Sequence, residues 1–161
     1  MLLTLALVCV SVSGTIAYLT DSEQKENLTG FTDNTIHLEE DFVPPVNPGP
    51  GTVIKKSPRI VNESEIPVYV RLSARFSDDQ AESFCLPLEI NAGWELQPDG
   101  YYYYSRALTA GEKTSALFDE VVIRAETDKE DLVPFDLLIY AESVQSYGMT
   151  QEEAWTYFEK S

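Results

Sequence analysis

Histidine occurs once and cysteine twice in the 161 residues, and no lysine or arginine precedes Lys25. A single imidazole, His37, cannot build a His-rich zinc centre, and no His-Glu-x-x-His motif is present. No nucleophile has a histidine partner and no glycine-rich loop is suited to cradle phosphate, so the common catalytic constellations are missing and no cofactor is implied. Cys9 falls in an apolar opening stretch, which leaves Cys85 alone in the rest of the chain. A disulfide framework within one chain is thereby excluded, and Cys85, set in Ser-Phe-Cys-Leu-Pro-Leu, reads as a small buried hydrophobe.

Long apolar runs are also lacking. Met1 to Val12 carries no charge, but it falls short of the roughly 20 residues a helix needs to cross a bilayer. It ends in small residues at Gly14-Thr15-Ile16-Ala17-Tyr18-Leu19-Thr20-Asp21, the form of a secretory apolar region followed by its cleavage site. Thr15 and Ala17 fit the minus-three and minus-one positions of signal-peptidase cleavage, which would leave Tyr18 as the new amino terminus. The missing basic n-region is ascribed to a start placed too far downstream or to trimming. An uncleaved anchor or a buried helix is the competing reading of the same stretch. Removal of residues 1–17 leaves an exported protein with no stable membrane span.

Positive charge is scarce: 11 basic against 27 acidic residues give a formal net charge of -16. Such a field disfavours nucleic acid and anionic lipid as partners, and it keeps copies of the chain apart at low salt. The remaining length suits one domain with a real core.

What is present is mostly strand pattern. Asp21 to Asn27 is polar throughout and reads as an arm or a loosely held first segment, with short strands expected at 28–31 and 34–42. Ile36, Leu38 and Phe42 share one parity, and His37 and Glu39 share the other. Val43-Pro44-Pro45-Val46-Asn47-Pro48-Gly49-Pro50-Gly51 must be a loop. Residues 52–62 read as strand interrupted at Pro58. Residues 66–76 form the clearest strand, with Val68, Val70, Leu72, Ala74 and Phe76 toward a core and Tyr69, Arg71, Ser73 and Arg75 toward water. Asp78, Asp79 and Glu82 suggest a solvated acidic turn, without the spacing of a calcium loop.

Pro98-Asp99-Gly100 is a turn, and Tyr101, Tyr102, Tyr103 and Tyr104 follow it, two rings to each face of a strand. With Trp94 they form a candidate partner surface, for stacking on sugars or docking a protein, if they do not simply cover the sheet. Strands are expected over 114–124 and 135–141. Thr150-Gln151-Glu152-Glu153 is a capping box that opens a short helix with Ala154, Trp155 and Phe158 on one face. Two sequons occur, at Asn27 and Asn62. The expectation is an all-β protein, an antiparallel jelly roll or β-sandwich over 32–161 with one short C-terminal helix, preceded by an arm or first strand over 18–31.

The stretch from Gly14 to Asp21, the Pro-Gly loop, Lys56-Ser57-Pro58-Arg59-Ile60-Val61-Asn62 and the Tyr69-Val70-Arg71 strand, in that order, resemble the TasA and camelysin-like proteins, whose leaders are processed by the signal peptidase SipW. The resemblance implies a jelly roll, export to the cell surface or biofilm matrix, and self-association into fibres in which the freed N-terminal segment is donated as a strand to a neighbour. The donated segment would be 18–31, although its charged residues depart from an apolar donor. Some relatives are labelled metalloproteases, which a lone His37 does not support. The expected function is a non-catalytic structural protein; the alternative is a monomeric extracellular module binding a glycan or a protein.

Overall fold

The computed structural model describes residues 19–20, 23–27 and 35–159. Within them the chain forms two facing sheets, mostly antiparallel, with helices at the margins. The larger sheet contains β1 (Leu19–Thr20), β2 (Glu23–Asn27), β5 (Val68–Phe76), β6 (Trp94–Leu96), β7 (Tyr102–Tyr104) and β9 (Phe135–Gln145). The smaller is β3 (Ile36–Phe42), β4 (Val53–Asn62) and β8 (Glu120–Val122), with β4 in the middle.

Alternation builds the core. Val68, Val70 and Leu72 from β5, and Phe135, Leu137, Ile139 and Ala141 from β9, are buried against Ile36 and Leu38 of β3 and Ile54 and Ile60 of β4. Each such side chain contributes roughly 1.5–3 kcal/mol of transfer free energy before ordering costs. β5 and β9 pair along nine residues, from Val68 opposite Gln145 to Phe76 opposite Leu137, and form the spine of the larger sheet.

Pro58 does not interrupt β4, and the reason lies in which edge it faces. Lys56, Ile60 and Asn62 donate their backbone N–H groups to Asp119 O, Thr114 Oγ1 and Glu112 O, away from β3. Proline at 58 therefore removes a donor only on that irregular side, where its carbonyl still accepts from Leu117 N.

Four expectations are corrected. The acidic turn is a helix, α1 (Asp79–Phe84), whose N-cap Asp78 accepts from Gln80 N, so the C-terminal helix is not alone. The expected strand over 114–124 shrinks to β8. Of the arm or first strand expected over 18–31, Leu19–Thr20 and Glu23–Asn27 are strand, but they pair with β9 in parallel, so the sheet is not wholly antiparallel. The water-facing side of β5 is partly covered, because α2 (Gln151–Glu159) folds back onto it and buries Arg71. The capping box forms as expected, with Thr150 N donating to Glu153 Oε2 at 2.8 Å.

Candidate functional site

β9 is the strand on which both candidate surfaces converge. One edge pairs with β5 and the other holds the N-terminal segment, in register from Leu19 beside Phe135 to Asn27 beside Ser143. A sheet edge this long, left open, would present a row of unpaired backbone groups to any passing strand.

The outer face of the same strands carries a buried charge cluster. Arg71 and Glu142 stand opposite one another in the β5–β9 register, and Arg71 Nε donates to Glu142 Oε2 at 2.6 Å. Arg71 Nη1 donates to Asp99 Oδ2 at 2.9 Å and to the Tyr103 hydroxyl at 2.8 Å. The hydroxyl in turn donates to Asp99 Oδ2, and that of Tyr101 to Glu142 Oε1. The guanidinium plane lies 4.1 Å from the Tyr101 ring centroid and 4.6 Å from that of Phe158 in α2. Burial pulls the Arg71 pKa down, but the hydrogen bonds to Tyr103 and Glu142 and the Glu142 charge outweigh it and hold it above the ordinary value. Burial, then the bond to Asp99, pushes the Tyr103 hydroxyl up to about 12. This satisfied cluster is a joint holding α2 to the sheet.

The expected partner surface is for the most part inside. Alternation of the tyrosine run holds, but both faces are covered. Tyr104 packs on Trp94 with centroids 4.9 Å apart, and Trp94 Nε1 donates to Ser115 O. Tyr103 is 1% exposed and meets Trp155 and Phe158 edge-on. Tyr101 and Tyr102 are half-buried. The correction follows from α2, which closes over the face that the strand pattern alone would leave to solvent.

The cleavage residues Thr15, Ala17 and Tyr18 and the Asn27 side chain lie outside the described residues. His37 is exposed on β3. Cys85 is buried, and desolvation raises its thiol pKa to about 11, which suits an inert packing role. Among the described residues no three His, Cys, Asp or Glu side chains converge as metal ligands. No helix among them is long and apolar enough to cross a membrane.

Asn62 is no glycan acceptor in the folded chain. It is fully buried, its Nδ2 donates to Ile66 O and Leu108 O, and its Oδ1 accepts from Ser64 N and Oγ. It ties the β4–β5 connection to the segment that bridges Val68.

Sequence reading missed Lys56 and Glu40. Both fall on inward positions, Lys56 among Ile54, Pro58 and Ile60, and Glu40 between Leu38 and Phe42. Their side chains are shielded from solvent, with Nζ 2.7 Å from Glu40 Oε1 and 5.0 Å from the Phe42 ring centroid. Parity along β4 was the available signal.

No protein-family model, curated protein or solved structure matches the chain.

Proposed function

We propose that the protein is an exported, non-catalytic structural subunit of the cell surface or biofilm matrix that assembles by exchanging its N-terminal strand. The two sheets are read as a jelly roll, and residues 1–17 as the leader whose removal frees the arm. The observation that carries the reading is the pairing of Leu19–Thr20 and Glu23–Asn27 with β9: short strands next to the proposed cleavage site complete one edge of a long, buried strand. Within one chain this is self-complementation. Between chains the same backbone ladder joins one copy's arm to the next copy's β9, and repetition makes a fibre.

The test is removal of residues 18–27 from the processed protein, followed by circular dichroism and electron microscopy. The expected result is a folded β-sandwich that no longer polymerises. Polymers formed by the truncated protein would overturn strand exchange. Net charge of -16 adds that assembly of the intact protein strengthens at high salt, where repulsion is screened beyond roughly 10 Å.

A further inference from the structure

Neighbouring glutamates on β3 each meet a lysine, and what differs is the surroundings. Glu39 lies 3.0 Å from Lys113 Nζ, with side chains 36% and 53% exposed, so water solvates both charges. Glu40 turns to the other side and lies 2.7 Å from Lys56 Nζ, with side chains 2% and 0% exposed. The β3–β4 register fixes this second pair. Phe42 stands opposite Lys56 and Glu40 opposite Pro58, which makes the lysine and the glutamate diagonal neighbours on one face of the ladder. Ile54, Pro58 and Ile60 continue the buried row of β4, Leu38 and Phe42 flank Glu40 on β3, and the Phe42 ring centroid is 5.0 Å from Nζ. Two opposite charges kept in such a place are expensive to desolvate. Glu40 Oε1 is bonded to Cδ at about 1.2 Å, so the amine nitrogen lies within about 4 Å of a carboxyl carbon, held there by two paired strands.

We infer that Lys56 and Glu40 join in an amide, a covalent modification that staples β3 to β4 inside the core and closes the Pro-Gly loop into a ring. Nζ attacks Cδ, the N–C bond forms and one C–O bond breaks. Two of the three ammonium protons leave with the expelled carboxylate oxygen as water, and the third stays on the amide nitrogen. Nothing is oxidised or reduced, and no second reactant enters. Alignment by the paired strands stands in for concentration, an effect that reaches effective molarities of about 10⁵–10⁸ M. The product carries no charge, so the desolvation cost of the ion pair disappears with it. Lys113 and Glu39 have neither the burial nor that incentive. The inference is independent of strand exchange, because neither residue belongs to the N-terminal segment.

The test is the mass of the full folded chain, measured after denaturation, with its amino terminus established by sequencing. The expected mass is that of the sequence less one water molecule. Fragmentation of the same ions is expected to release no pieces from backbone breaks between residues 40 and 56, because the amide holds both sides of each break together. Lys56→Met is expected to return the chain to its sequence mass and to restore those fragments. A native chain at its sequence mass would overturn the inference. So would a missing water that persists in Lys56→Met, or a native chain that fragments freely between 40 and 56, and this last reading does not depend on the variant folding.

Discussion

Arg71 on β5 and Glu142 on β9 are directly opposed in the antiparallel register, and Arg71 Nε and Nη2 both reach Glu142 Oε2 under the C-terminal helix, with Phe158 packed on the guanidinium. A strand pairing and a helix docking are thus secured by one cation. Removing Arg71 leaves the Glu142 carboxylate buried without its cation, which costs about 3–5 kcal/mol, whereas removing the Glu142 charge leaves Arg71 still paired with Asp99 and costs less. Arg71→Met and Glu142→Gln are each expected to lower the urea midpoint accordingly. Arg71→Lys should recover only part of the loss, because an ammonium cannot make the forked contact. A double variant no worse than either single one would show the coupling directly.

Asn62 makes a second prediction. Asn62→Ala removes the Nδ2 donor shared by the Ile66 and Leu108 carbonyls and the Oδ1 acceptor of Ser64, which loosens the 62–66 turn at a cost of about 1–3 kcal/mol. Asn62→Asp is expected to be similarly harmful, because it replaces a donor with a charge facing those carbonyls. Production in a host that glycosylates exported asparagines should leave Asn62 of the folded protein unmodified, as peptide mass mapping would report.

Gly93 is required by both backbone and space. Its φ is +98°, and a Cβ there would lie 2.9 Å from the Tyr104 ring, which is itself packed on Trp94. Gly93→Ala is expected to destabilise by about 1–3 kcal/mol and to alter the near-ultraviolet spectrum through the Trp94–Tyr104 pair.

The alkaline limit follows from the tyrosines. The Tyr103 hydroxyl is held up to about 12, first by burial and then by Asp99, and Tyr101 and Tyr102 are raised as well, first by burial. An unfolded tyrosine ionises near pH 10, so the unfolded chain releases its proton first as pH rises. The contribution of these groups is whole below about pH 10 and lost as pH climbs toward 12. Tyrosinate absorbance is therefore expected to appear together with release of α2 in that window. Full ionisation of all tyrosines at pH 10 with the helix still docked would contradict the assignment of Tyr103.

The parts of this fold that could be read from the chain are those whose cause is local. β5 and β9 show period-two alternation, the Pro-Gly loop cannot enter a ladder, and Thr150 and Glu153 stand at capping-box spacing. What could not be read depends on distant partners. Residues 23–27 have no strand pattern of their own, and only β9, far along the chain, makes them one. The tyrosine run announced two faces but not that a later helix would cover one of them. Asn62 stood only as a sequon because its partner at 108 is brought to it by the fold. Arg71 looked solvated because Glu142 and Phe158 lie far ahead in the sequence. Lys56 was missed although it interrupts the inward row of Ile54, Pro58 and Ile60 on β4, because its partner Glu40 sits on another strand.

Leu19–Thr20 and Glu23–Asn27 lie against β9, so the earliest described strands of the sheet to be synthesised wait on the last. A chain that emerges amino end first, from a ribosome or through a translocation pore, holds this arm without its mate until nearly all of the sequence has passed. Closure of this edge therefore begins only once β9 has been delivered, and its timing follows the rate at which the chain emerges.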